Sequence, residues 1–361
     1  MSEREKSSHR IYENLAKKIE VSASYKVRYT AKSFTKKVIG KDRKLDPEIS
    51  DWKIGLITEG LAGSGFDREP LYRFFDWYRF LIGTGEECFW FQDQLLTAGS
   101  ILKVILEDGK GEYRPLAVNA ANSFSHNLIK TEDGTLLLPY RGKILYLDQI
   151  GIMAPFCVRA LKFFGTERYV KILEKQILFT LTHQCSEDSV FPFHAYDIEN
   201  GNTQGRNSWG RGIGWWLTGI SALLSGAGTF MEQKTELLDY FVKCIAVLSD
   251  LQDKNGYLYE DIAAMNHIDT STTAMCGYAS AEVCYARKDD LKPEEYEMML
   301  RFAEMCAGAV LLSADESGNV TDCSGECNNY GDYSTEYGSF YAEGPALSLL
   351  HMLLLLSEFS A

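Results

Sequence analysis

Trp209-Gly210-Arg211-Gly212-Ile213-Gly214-Trp215-Trp216 joins a guanidinium, three glycines and three indoles in eight residues. Apolar residues continue from it through Leu217, Ile220, Leu223 and Leu224, which is helical spacing. The stretch therefore reads as a polar and aromatic cluster at the start of a buried helix. Its glycines let another chain segment or a ligand come close. Arg211 offers a planar fork suited to a carboxylate or phosphate. Flat indole faces line sugar sites, and they also fill cores. A tight helix contact with Trp as core filler explains these eight residues equally well, so the rest of the chain has to decide.

Working outward, the same periodicity recurs almost everywhere, with no sustained strand alternation. A first helix is expected over about 11–30. Further helices open at Asp51-Trp52, Leu71, Asp93, Pro115, Asp148, Glu167, Trp209, Thr235, Asp269, Pro293 and Tyr341. Turn formers separate them: Glu107-Asp108-Gly109, Glu132-Asp133-Gly134, Glu199-Asn200-Gly201, Lys254-Asn255-Gly256 and Glu316-Ser317-Gly318. Every second helix begins one helix–loop–helix unit, at irregular steps of roughly 40–70 residues. Six such hairpins closing on themselves make an all-α (α/α)6 barrel. No stretch looks like an interdomain linker, so residues 1–361 are read as one catalytic domain.

If the even-numbered helices form the inner ring, their N-termini share one mouth. That mouth would collect Trp52, Asp93, Asp148, Trp209, Arg211, Ser271, Thr272, Tyr341 and Glu343. Helix N-termini add positive potential there, which suits an anion.

The charge of the chain is −13, so a nucleic-acid partner is not expected. No secretory h-region stands at 1–18, and the apolar run 347–356 is too short to span a bilayer, so no membrane partner is expected either. The nine cysteines are scattered and mostly sit in apolar helical runs, as in a reduced, cytoplasmic protein. Cys323 and Cys327 would be half a metal site, but no second Cys/His pair stands nearby. No phosphate loop, nucleophile elbow or helical metal spacing is present in the sequence.

Asp148 suits helix capping, and it also suits acid–base work in an aromatic pocket. The two roles conflict, because a cap holds the carboxylate ionised while a general acid needs its proton. Asp93, one unit earlier, has the same two readings, and the pair would serve ordinary glycoside hydrolysis. His194, with Asp197 three residues on, is a substrate-binding candidate from the loop before the Trp209 helix.

The order of these pieces resembles the unsaturated glucuronyl and rhamnogalacturonyl hydrolases, glycoside hydrolase families 88 and 105. The similar pieces are Trp52 with Gly55, Asp148 with Pro155-Phe156, and His194-Ala195-Tyr196-Asp197. To these add the Trp209-to-Trp215 element and Asp269-Thr270-Ser271 with Thr273-Ala274-Met275. The rhamnogalacturonyl-type subgroup fits better. The resemblance implies the same (α/α)6 barrel and hydration of a Δ4,5-unsaturated uronic acid left by a polysaccharide lyase. It implies Asp148 as acid/base, Arg211 on the uronate carboxylate and His194 on the sugar ring. Trp52, Trp209 and Trp215 would form the walls and Asp93 the second mouth carboxylate. No metal or cofactor is implied, and the only partner implied is a small unsaturated oligosaccharide. Ile213 stands where the family commonly has Asn, Tyr196 where Trp is usual, and Gly151 where a larger residue is usual.

Two other functions fit the sequence. One is a conventional inverting glycosidase using Asp93 and Asp148; the other is an inactive sugar-binding barrel. A sugar epimerase on this barrel would need a pair of mouth histidines, and only His194 qualifies.

Overall fold

The computed structural model describes residues 3–41, 44–46, 49–126, 131, 143–227, 234–327, 330, 333 and 341–358. Six helices form an inner ring: α3 (Trp52–Ala62), α5 (Leu95–Asp108), α7 (Asp148–Phe164), α9 (Gly210–Gly226), α11 (Thr270–Arg287) and α13 (Glu343–Glu358). Each packs on the next, and α13 closes the ring on α3. Around them lie α1 (Glu3–Lys18), α4 (Glu69–Gly83), α6 (Arg114–His126), α8 (Arg168–His183), α10 (Lys234–Leu251) and α12 (Pro293–Ser313). Helix α2 (Ala23–Val38) is an addition on the outside of α4. The architecture is the (α/α)6 barrel that the helix pairing predicts.

The inner helices are buried nearly all round, and among the Ser and Thr side chains they bury, those of Thr58, Ser100 and Ser221 bond to backbone or to neighbouring side chains. Close approach is what closes the ring. A Cβ on Gly151 would lie 2.5 Å from the Trp215 carbonyl oxygen, and one on Gly60 would lie 2.4 Å from the Gly344 Cα. One contiguous cluster of buried apolar side chains runs from Ile11 to Leu356.

Two expectations change. The helix read over 11–30 is two helices, because Ser22 caps a new one by accepting from the Tyr25 amide at 3.2 Å. The chain also forms a small antiparallel sheet before α7 and α9, in the order β1 (Ile144–Tyr146), β2 (Ala195–Asp197), β3 (Asn202–Gln204). Strands of three residues are too short for alternation to show. The turn at Glu132-Asp133-Gly134 lies outside the described residues.

Candidate active site

The small sheet places the first two site residues. Tyr146 pairs with Ala195 across β1 and β2. One step on, the Leu147 amide donates to the His194 carbonyl at 2.9 Å. Asp148 and His194, 46 positions apart, are thus brought to the same ladder end. Helix α7 opens at Asp148 itself, with Leu147 in the cap position, and Asp148 is half-buried. The His194 ring is 2% exposed and lies 4.1 Å from the Trp209 ring centroid. Its Nδ1 is 3.2 Å from the Tyr333 hydroxyl, and either atom can donate.

Trp209 occupies the cap position of α9 in extended backbone, and the next amide, Gly210, donates to the Glu260 carbonyl at 2.7 Å. Arg211 follows, 2% exposed. Its Nη1 donates to the Ser324 carbonyl at 2.7 Å and to Ser324 Oγ at 3.0 Å, and its Nη2 donates to the Gly325 carbonyl. The guanidinium carbon also lies 5.3 to 6.0 Å from the ring centroids of Tyr341, Trp209 and Trp52. The fork that the sequence offers to a substrate carboxylate is therefore turned toward loop 324–325, where both terminal nitrogens meet protein oxygens.

Ser324 is the hinge of this network. Its Oγ donates to Asp269 Oδ2 at 2.9 Å while accepting from Arg211. Asp269 is fully buried at the cap of α11 and also accepts from the Ser271 amide, Ser271 Oγ, Thr272 Oγ1 and the Ser324 amide. Trp52, at the start of α3, meets Tyr341 at 4.7 Å and Trp215 edge-on at 6.3 Å. Asp93 is half-buried in a 3₁₀ turn, Gln92–Gln94, just before α5. Gln92 reaches Met153 Sδ of α7 at 3.6 Å, and Gln94 Nε2 donates to Ser50 Oγ at 2.8 Å. These contacts gather the N-terminal ends of all six inner helices at one mouth, with aromatic walls and a buried cation beneath. Six helix N-termini favour negative charge there, against the chain's net −13.

Several sequence expectations land elsewhere. Asp197 folds a turn, accepting from the Glu199 and Asn200 amides and from Asn200 Nδ2. Those Asn200 bonds hold its carboxyl below the ordinary range. Glu343 is buried, with Lys18 Nζ of α1 at 2.7 Å, so it faces the outer layer rather than the mouth. Ile213 is enclosed in the main apolar cluster, and Tyr196 packs on Phe179 and His183. Gly151 has its reason in the Trp215 contact. Among the described residues, no group of three or more His, Cys, Asp or Glu could hold a metal ion. Cys327 Sγ instead lies 4.0 Å from His194 Nδ1.

Sequence reasoning missed Ser324, Glu260 and the Lys53–Glu326 pair. Glu260 is buried, which pushes its carboxyl above the ordinary range, while Arg206 at 3.8 Å pulls it down. Lys53 Nζ lies 2.6 Å from Glu326, which also accepts from the Tyr341 hydroxyl at 3.0 Å. Ser324, Glu260 and Glu326 lie in loops, which carry no periodic signal, and the partner of Lys53 is one of them, so nothing in the sequence marked them.

The family model for Glycosyl Hydrolase Family 88 matches residues 34–354. A possible glycoside hydrolase family 105 member from Klebsiella pneumoniae superposes with a TM-score of 0.73 at 17% identity, covering 86% of this chain and 83% of that one. An unsaturated glucuronyl hydrolase from Bacillus sp. GL1, responsible for glycosaminoglycan degradation, does so with a TM-score of 0.67 at 18% identity, covering 83% and 85%. A polysaccharide lyase is similar over 98% of this chain and 99% of its own, with a TM-score of 0.64 at 13% identity. At such identities these likenesses establish the fold, which hosts more than one chemistry. Comparison with curated proteins finds no match.

Proposed function

The chain belongs to glycosyl hydrolase family 88, a family of unsaturated uronyl hydrolases, and from that premise we propose the reaction and the residues that carry it. The substrate is an oligosaccharide whose non-reducing end is a Δ4,5-unsaturated uronic acid, best an unsaturated galacturonyl-rhamnose. The observation that carries this reading is the junction of Asp148 and His194 at one ladder end, on the aromatic mouth above Arg211.

Asp148 gives its proton to C4 of the vinyl ether. Positive charge develops at C5 and the ring oxygen. Water guided by the resulting carboxylate adds at C5, and its spare proton returns to Asp148. The hemiketal opens to a ketone, and the neighbouring sugar leaves from C1. One carboxyl acts as acid and then as base, worth about 10²–10⁴-fold. His194, fixed on Trp209, orients the sugar ring, and Trp52 and Trp215 shape the wall. Arg211 acts on the uronate chiefly through its charge, because its hydrogen bonds hold loop 324–325. Asp93 is the second mouth carboxylate.

Residues 1–361 work as one catalytic domain, an assignment the continuous apolar cluster supports. Among the described residues the cysteines form no disulfide, which supports a reducing, cytoplasmic setting.

The test follows the ultraviolet band of the conjugated double bond on unsaturated galacturonyl-rhamnose and unsaturated glucuronyl disaccharides. Loss of the band with the wild type, and its persistence with Asp148→Asn, is the expected result. Cleavage of saturated uronides with the band untouched would replace this reading with a two-carboxylate glycosidase using Asp93 and Asp148. Binding without turnover on both substrate classes would leave an inactive sugar-binding barrel.

A further inference from the structure

Helix α2 has two made faces, and the fold uses one. Tyr25, Tyr29 and Ser33, four residues apart, form the inner face. The two tyrosine rings meet Trp77 edge-on at 6.3 and 5.8 Å. The Tyr29 hydroxyl donates to Glu86 Oε1 at 2.9 Å, and Ser33 Oγ donates to Glu86 Oε2. This side is a finished packing surface.

The outer face is apolar. Val27, Ala31, Phe34 and Val38 stand at i, i+4, i+7 and i+11. At about 100° per residue they fall within an arc of roughly 60°. Val27 is 69% exposed, Phe34 64% and Val38 70%, and Ile39 at the helix end is 57% exposed. Four large apolar side chains in open solvent on one short helix are not the scatter expected of a surface.

Cations border this stripe on both sides, with Lys26 and Lys37 along one edge and Arg28 and Lys32 along the other. Residues 22–41 hold six Lys and Arg and no carboxylate. The whole chain carries −13, so the remainder carries −19. The basic charge is concentrated where the apolar stripe is. The family match begins at residue 34, inside this helix, so most of α2 precedes the part shared with the family.

Three anionic or apolar partners could meet such a face. A nucleic-acid backbone would use the cations and leave the stripe in water. A symmetric contact with a second copy would cover the stripe but set six cations against six. An anionic bilayer uses both features at once, the stripe at the headgroup boundary and the cations on lipid phosphates. A helix that lies on a membrane needs no spanning length. We propose that α2 is a peripheral docking element that seats this protein on anionic lipid surfaces. The stripe is too small to hold on a neutral bilayer by itself, so binding is selective for anionic lipid and sensitive to salt. The −19 elsewhere repels the same surface and orients the molecule with α2 toward it.

The test is co-sedimentation of the full chain with phosphatidylcholine vesicles, with and without about a third phosphatidylglycerol, at low and high salt. Binding is expected only to the anionic vesicles, falling roughly tenfold at high salt. The double variant Phe34→Ser/Val38→Ser is expected to lose it. Arg28→Glu/Lys37→Glu is expected to weaken it roughly tenfold or more. All four positions are exposed and none is placed in the site, so circular dichroism and turnover should match the wild type. Equal binding to both vesicle types, or to neither, would overturn the proposal. So would a concentration-dependent dimer in sedimentation velocity that Phe34→Ser abolishes, which would assign the stripe to a second copy. Salt-sensitive binding to DNA that survives Phe34→Ser would overturn it in favour of nucleic acid.

Discussion

At the mouth of the inner ring, Arg211 and Asp269 are tied to a loop; at the C-terminal end, Glu59 and Glu282 are tied from helix to helix. Arg211 at the mouth bonds to Ser324 and Gly325, and Asp269 receives the same Ser324. At the far end, Glu59 of α3 accepts from Arg159 of α7 at 2.6 Å and from Ser100 of α5 at 2.7 Å. Glu282 of α11 accepts from Ser221 of α9 at 2.6 Å and from Tyr278 at 3.1 Å. A cavity of about 230 Å³ runs between the ends, lined from Gly151 and Trp215 down to Lys103 and Arg159. Burial there pushes the Glu282 carboxyl above its ordinary range and pulls the Lys103 ammonium below its own. Charges matched from helix to helix close a barrel. Charges matched to loops let the same barrel carry a site that loop changes can retune.

The comparison breaks most sharply on activity. Asp148→Asn should lower kcat/KM on an unsaturated disaccharide by about 10³-fold with the helical signal intact. Glu59→Gln, at the other end, should leave the folded enzyme's turnover within about twofold. If the rear change removes activity as well, the two ends are not separate in function.

The next largest effect is on stability, and it belongs to the rear. Arg159→Met takes the ion-pair partner from Glu59, leaving it the Ser100 hydrogen bond, and should cost about 3 kcal/mol in urea unfolding. Adding Glu59→Gln should recover most of that loss, because the uncompensated charge is then gone. A double variant as unstable as the single would mean that Arg159 acts by packing.

Ser324→Ala sharpens the view of the mouth. It removes the bridge between Arg211 and Asp269, and about 1–2 kcal/mol is expected. The loss should fall on KM more than on kcat, since Ser324 positions the loop and does not touch the reacting carbons.

The smallest effect is the pH response of the rim. The hydrogen bond from Lys53 holds the Glu326 carboxyl below its ordinary 4.5. Burial lowers Lys53, but Glu326 and Asp51 outweigh it and leave its ammonium at about 12. A depressed carboxyl stabilises above pH 4.5 and loses that as pH falls; a raised ammonium stabilises below 10.5 and loses that as pH rises toward 12. The tether is therefore whole from about pH 5 to 10. Glu326 is 40% exposed, so Glu326→Gln should cost under about 1 kcal/mol at pH 7 and flatten the acid limb of Tm against pH.

Helix existence was legible wherever the apolar period ran long enough to count. The inner helices starting at Trp52, Asp148, Gly210 and Thr270 lie within a residue of where the sequence places them. The split at Ser22 was not legible, because apolar spacing continues across 19–25 and only the cap interrupts it. Tyr25 and Tyr29 look like ordinary core positions, and nothing marks Val27 and Phe34 as solvent-facing until Trp77 is seen on the other side.

What the sequence determined alone is the ring of helix pairs and part of the mouth, with Trp52, Asp148, Trp209 and Arg211 at the starts of inner helices. Those depend on short-range periodicity, on capping residues and on the Trp209–Trp216 element, all readable within a dozen positions. What only the tertiary structure decided is where each group is turned. Asp148 and His194 meet through a ladder bond between residues 147 and 194. Arg211 faces Ser324, 113 positions away, and Glu343 faces Lys18, 325 positions away. Such pairings are set by ring closure, which a local pattern does not encode.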